Sequence, residues 1–224
     1  MEGFTDSMAD ALASQEVELI ELHEHEELFT STHEEHDHEE SSAEHNGHQH
    51  GDYDPHFWID PLRMLEMAQI VETKLSELNP EKSDLYQENF QNLKEDLLSL
   101  DQEFMDTLEA KTNKHILVAH AAFGYWEERY GIEQIAINGM TSSSEPSQKE
   151  LTEIIELAKE HHLQYIIFEQ NGSSHVSEII QEQIGAEALL IHNLSVLTET
   201  DINENKDYLS LMRENLQVLK TAIN

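Results

Sequence analysis

Imidazole and carboxylate side chains crowd into one stretch of this 224-residue chain. Nine of its 15 histidines fall between His23 and Pro61: His23, His25, His33, His36, His38, His45, His48, His50 and His56. Acids and small polar residues separate most of them. Both side-chain types ligate divalent cations, and imidazole favours zinc. The first eight are strung along a tract with no regular spacing, which suits loose collection of metal. The ninth lies in Asp54-Pro55-His56-Phe57-Trp58-Ile59-Asp60-Pro61, a compact segment suited to holding an ion tightly.

Composition narrows the chemistry further. A formal charge of -35, from 47 acids against 12 bases, repels nucleic-acid phosphates and anionic membranes, so neither is expected as a partner. With no cysteine there are no disulfides, thiolate metal sites or thiol nucleophiles, and imidazole and carboxylate are the remaining ligands. That set suits zinc or manganese. A hydrolase reading needs a water-activating motif such as His-Glu-x-x-His, which this chain does not contain, and we expect no enzyme. No apolar run approaches the ~20 residues of a membrane span, and the first fifteen residues lack the pattern of a signal peptide. The chain opens inside an amphipathic helical pattern (Phe4, Met8, Ala9, Leu12) with nothing before it to pack on. We therefore expect an N-terminal truncation and give the missing targeting signal little weight.

The elements that must position these residues follow from periodicity. Val17 to Leu22 alternates as a strand does, and residues 23–53 have no apolar period and read as a loop. Helical spacing (Leu65, Ala68, Val71, Leu75, Leu78) predicts a helix from Pro61 to Leu78, stopped by Asn79-Pro80. Residues 81–111 contain neither Gly nor Pro and predict one helix of about 45 Å at 1.5 Å per residue. Beyond Asn113, strands are expected at His115–Ala119, Gln134–Ile137, Tyr165–Phe168 and Ala188–Ile191. Helices are expected at 121–130, 147–162, 174–184 and 203–222. This alternation predicts an α/β lobe with a parallel four-stranded sheet and flanking helices. The organisation expected is a remnant of an N-terminal lobe at 1–80 carrying the His-rich loop 23–53, a connecting helix at 81–112 and the α/β lobe at 113–224. Ligands of open parallel sheets sit beyond the carboxyl ends of the strands. His120, Glu169 and His192 each end or follow a strand there. His115, which starts a strand, and His161 and His162, which end a helix, are given no metal role.

At these residues the chain resembles the metal-specific solute-binding proteins of ABC importers, in particular the zinc-binding, lipoprotein adhesin-like branch. The resemblance runs through the His-rich loop and the Asp54–Pro61 segment, then Ala119-His120-Ala121-Ala122-Phe123-Gly124-Tyr125. It continues through Gly139-Met140 to Glu145-Pro146-Ser147, Tyr165-Ile166-Ile167-Phe168-Glu169 and a last helix around Tyr208, Met212, Asn215 and Leu216. It implies a two-lobed fold joined by a long rigid helix, with one ion trapped between the lobes and passed to a membrane permease. Two of the family's histidine ligands match His56 and His120. A third, early in the N-terminal lobe, would lie upstream of Met1, so the N-terminal lobe is expected to be incomplete and poorly supported. The fourth position, often Glu or Asp, falls at Ser195, with His192 as a substitute; Glu169 is expected to support a ligand more than to touch metal. Histidine at 120, where the manganese branch has Glu, favours Zn2+ over Mn2+. The resemblance further implies a monomer when full length, placed outside the cytoplasmic membrane. In the alternative reading the chain is a zinc buffer that collects metal through the loop alone. Because loading must displace protons from imidazole, capture is expected to weaken on acidification.

Overall fold

Asp60 and Pro61 start the first long helix. The Asp60 carboxylate accepts the Leu62 amide at 2.8 Å, and Pro61 occupies the first helical position, where its missing N–H costs nothing. The computed structural model describes residues 12, 17–29, 53–139, 146–170 and 175–223. Within it, helix α1 spans Pro61–Leu78, ends at Asn79 and packs on α2, Ser83–Glu109. Leu97, Leu100, Phe104 and Leu108 recur at three- and four-residue steps along α2 and are all buried, which fixes the face it turns inward.

The sheet follows. Strands β1 (His115–His120), β2 (Glu133–Asn138), β3 (Tyr165–Glu169) and β4 (Glu187–Ile191) pair in the order β2-β1-β3-β4, all parallel. Helices α3 (Gly124–Tyr130), α4 (Gln148–Glu160) and α5 (His175–Ile184) connect them, and α6 (Glu199–Asn203) and α7 (Tyr208–Ala222) close the chain. Side chains of central β1 alternate between two cores, as the pleat requires. Ile116 and Val118 join Phe104, Trp126, Met212 and Leu216 on one face. Leu117 and Ala119 join Ile154, Ala158, Phe168 and Ile180 on the other. Leu28, Phe57 and Ile59 are buried in the first of these cores, so the described part of residues 1–80 is built onto the α/β lobe.

Several boundaries differ from the sequence reading. Residues 17–21 form no strand, and 22–28 are not loop: Leu22–Glu24 and Glu26–Leu28 are 3₁₀ turns that bury Leu28. An alternating segment becomes a strand only where a neighbour takes its backbone groups, and no described strand lies beside this one. The long helix is preceded by a separate 3₁₀ turn, Pro80–Lys82, and begins at Ser83. Residues 121–123 form a turn before α3, with the Ala122 amide donating to the His120 carbonyl at 2.9 Å. The expected helix 203–222 begins later, at Tyr208, and a separate short helix, Glu199–Asn203, precedes it. Asn205 adopts a left-handed φ of 54°, and a capping box between Asp207 and Ser210 starts α7 afresh. The opening helical pattern apart from Leu12, residues 30–52 with His33, His36, His38, His45, His48 and His50, and the Met140–Glu145 motif lie outside the described residues, as does the His23 side chain.

Candidate metal centre

His56 enters the site from a turn locked by its own neighbour. Asp54 Oδ1 accepts both the His56 backbone amide at 2.9 Å and the His56 ring Nδ1 at 2.6 Å. The Asp54 carbonyl accepts the Tyr125 hydroxyl at 2.5 Å, which pins the turn to α3. The 3₁₀ turn Phe57–Ile59 follows, and the Ile59 carbonyl accepts the Trp126 indole N–H at 2.8 Å. Asp54, His56 and Asp60 are all buried. Gly124 lies against this turn, and a Cβ there would sit 2.9 Å from Asp54 Oδ2.

His120 arrives from the carboxyl end of β1. Its Nδ1 lies 2.6 Å from Glu169 Oε1, at the end of the adjacent strand β3. Asn193 Nδ2 donates to the other Glu169 oxygen. Burial would push the Glu169 carboxyl up, but the hydrogen bonds from His120 and Asn193 and the nearby imidazoles outweigh it, and the group is held below the ordinary carboxylate range. A carboxylate only accepts, so each bonded Nδ1 carries a proton, and in the neutral form of either ring the lone pair lies on Nε2. This orientation raises imidazole basicity and is how metal-ligating histidines are commonly held.

The two rings meet edge to face with centroids 5.1 Å apart and planes at 79°. Two imidazoles on one tetrahedral zinc, each bonded at about 2.0–2.1 Å, place their centroids roughly 5 Å apart, so the pair is spaced for one ion. Among the described residues no group of three or more His, Cys, Asp or Glu side chains is arranged to share an ion, and the described donors are two imidazoles.

The remaining expected residues have other work. The His192 ring accepts the Leu194 amide at Nδ1 (2.9 Å) and bonds Asp201 through Nε2 (3.2 Å), so both nitrogens are committed. Its backbone amide and carbonyl bond the Asn215 side chain at 2.8 and 2.7 Å. This geometry turns His192 into a brace between β4 and α7, with no lone pair for a metal. Ser195 is exposed, and its hydroxyl donates to Asn193 Oδ1 at 2.7 Å. Glu169 faces His120 with one oxygen and Asn193 with the other. His25 lies in the ordered turns beside Glu27, 3.1 Å from its carboxylate. His115 stacks on His161 at 3.6 Å at the opposite end of β1.

Two participants escaped the sequence reading as contributors. Asp54 had a local signal, an acid two residues before a histidine in a Pro-containing turn. Asn193 had none, because its partners lie on other strands and turns.

This arrangement defines a parallel-sheet α/β protein with two carboxylate-held imidazoles side by side at the carboxyl edge of its sheet. The chain belongs to the zinc-uptake complex component A, periplasmic, family (ZnuA), whose model matches residues 1–222. It is 31% identical over 227 residues to the zinc-binding protein AdcA of Streptococcus pyogenes, a match covering 98% of this chain and 44% of that protein. The high-affinity zinc uptake system protein ZnuA of Bacillus subtilis is 30% identical over 170 residues, covering 76% of this chain and 53% of that one. The chain thus spans about half the length of these relatives. Among solved structures, a zinc-bound mutant variant of AdcAII of Streptococcus pneumoniae superposes with a TM-score of 0.70 at 34% identity, over 77% of this chain and 62% of that one. A mutant of the laminin-binding adhesin Lmb of Streptococcus agalactiae gives 0.71 at 29% identity, over 77% and 64%. These neighbours share the α/β fold with its four-stranded parallel sheet.

Proposed function

We propose that this chain captures Zn2+ for an ABC-type importer, holding the ion through Nε2 of His56 and His120 and presenting it to the membrane permease. The observation that carries this reading is the pair of carboxylate-backed imidazoles at zinc spacing, 5.1 Å between centroids, at the carboxyl edge of the sheet. Membership of a zinc-uptake family supports it. Imidazole donors favour zinc over manganese, so Mn2+ is the weaker cargo. Nothing is chemically transformed. The remaining coordination positions fall to water or to donors outside the described residues. Glu169 holds His120 in place, and neither His192 nor Ser195 is assigned as a ligand.

The tract carrying His23, His25, His33, His36, His38, His45, His48 and His50 acts as a low-affinity collector. His50 is six residues from His56, within about 20 Å of extended chain. The family relationship supports placement outside the cytoplasmic membrane, and no described helix is long and apolar enough to cross one. We assign the domains as sequence suggested, with 81–112 linking 1–80 to 113–224, and the working form as a monomer without nucleic acid. The density of histidine before residue 51 favours one second reading, a zinc buffer acting through the tract alone.

Calorimetric zinc titration separates the two. The importer reading expects one tight event that survives deletion of residues 30–52 and disappears in a His56→Ala/His120→Ala variant. Several weak events that vanish with the tract would replace it with the buffer.

A further inference from the structure

The contacts around the centre close on themselves through Asn193. Asn193 Nδ2 donates to Glu169 Oε2, and Glu169 Oε1 holds the His120 ring. The Asn193 carbonyl accepts the Trp58 indole N–H at 2.9 Å, and the Trp58 ring packs edge-on against His56 with centroids 5.4 Å apart. His56 in turn meets His120 at 5.1 Å. The path from one imidazole to the other therefore runs both directly and through Trp58, Asn193 and Glu169.

Asn193 is itself firmly held. Its Oδ1 accepts the Ser195 amide at 3.1 Å, the Ser195 hydroxyl at 2.7 Å and the Gln170 side-chain N–H at 2.8 Å. Its backbone amide donates to Gln170 Oε1 at 2.8 Å. Because a backbone amide can only donate, Oδ1 must face Ser195, which directs Nδ2 at Glu169 and makes the side-chain orientation unambiguous. A half-buried carboxylate with donors on both oxygens has one preferred placement, and the ring it holds inherits it.

We propose that Asn193 is a positioning residue for metal capture: by clamping Glu169 and the Trp58 indole at once, it fixes the His120 ring relative to His56. This rests on the zinc reading of the two histidines. Asn193 touches neither ring, so its contribution is exerted through Glu169 on one side and Trp58 on the other. Carboxylates held directly against metal-ligating histidines change metal affinity by roughly 10- to 100-fold, and a residue one contact further out belongs near the lower figure.

The test exchanges donor and acceptor. Asn193→Asp sets two carboxylates against each other and should weaken cobalt(II) binding by roughly tenfold, with a change in the cobalt visible absorption. Adding Glu169→Gln restores one donor and one acceptor, since the amide N–H then donates to the residue-193 carboxylate while its carbonyl accepts His120 Nδ1–H. The double variant should recover the wild-type absorption and most of the affinity. Ring ¹⁵N chemical shifts of His120 in the metal-free protein provide a second reading: the Nδ1–H tautomer should dominate in wild type and in the double variant, and lose ground in Asn193→Asp alone. If Asn193→Asp leaves both the cobalt spectrum and the tautomer unchanged, or if the double variant fails to rescue either, Asn193 has no positioning role. If wild type gives no cobalt absorption while the tautomers behave as stated, the clamp stands and the zinc reading of the histidines falls.

Discussion

Asp54 holds the amide and the ring of His56 without being one of the two proposed ligands. One of its oxygens serves both the amide and the ring of His56. Its position is set by a backbone contact with Tyr125 and by the absence of a side chain at Gly124. Gly124→Ala should therefore act on metal binding without altering any ligand. Its new methyl would stand 2.9 Å from Asp54 Oδ2, closer than van der Waals contact allows, and Asp54 cannot retreat without releasing His56. We expect zinc affinity to fall by roughly tenfold, as it does when a histidine loses its carboxylate partner, while circular dichroism is unchanged. An unaltered affinity would mean that Asp54 has slack to move. At this scale the sequence was legible where chemistry is local. His56 and His120 stand out by residue type and by position after a loop or strand. The Trp58 to Asn193 bond, 135 residues apart in sequence, leaves no local pattern to read.

At the scale of elements, two acidic residues do more than cap. Asp60 accepts the Leu62 amide at the start of α1 and also the Arg129 Nε at 2.9 Å from α3, while nearly fully buried. Asp60→Ala removes a cap worth about 1 kcal/mol and leaves Arg129 without its buried partner, so a loss of about 3 kcal/mol is expected. In a chain of this size that lowers Tm by roughly 6–12 °C, measurable by calorimetry. Asp201 begins α6 and anchors His192. Hydrogen bonds from the Thr198 hydroxyl and amide, helped by His192 and opposed by burial, hold its carboxyl below the usual 3.8. A folded-state pKa below the unfolded one stabilises the protein fully above the unfolded value and ceases to do so as pH falls through the folded one. Urea unfolding should therefore show wild type ahead of Asp201→Asn by a constant margin between about pH 5 and 7, narrowing below about pH 4. A margin independent of pH would detach Asp201 ionisation from stability. These elements were legible from caps and periods: α1 begins and ends where Asp60-Pro61 and Asn79-Pro80 place it, and the four strands coincide with short apolar runs. The interruption at Asn205 and the turns that bury Leu28 were not, because both depend on what the rest of the chain packs around them.

Across the whole molecule, the centre joins segments that fold together rather than one local loop. His56 belongs to the turn that buries Phe57 and Ile59, and His120 ends the central strand; the same core holds Phe57, Ile59 and Val118 with residues of α2, α3 and α7. Unfolding separates the two imidazoles, so an ion bound between them as proposed would stabilise the global fold, whereas the proposed low-affinity collection along the His-rich tract would add no comparable stability. The net charge of -35 attracts cations to both places but distinguishes them no further. A ligand that binds only the folded state at 1,000 times its Kd adds about 4 kcal/mol. For a chain of this length that raises Tm by roughly 8–16 °C. Saturating zinc should produce a rise of this size in wild type and in a chain lacking residues 30–52, reversed by chelator, and almost none in His56→Ala/His120→Ala. If the rise instead follows the tract and ignores the two histidines, it is zinc on the tract that prefers the folded protein, and the pair His56 and His120 is not what retains the ion.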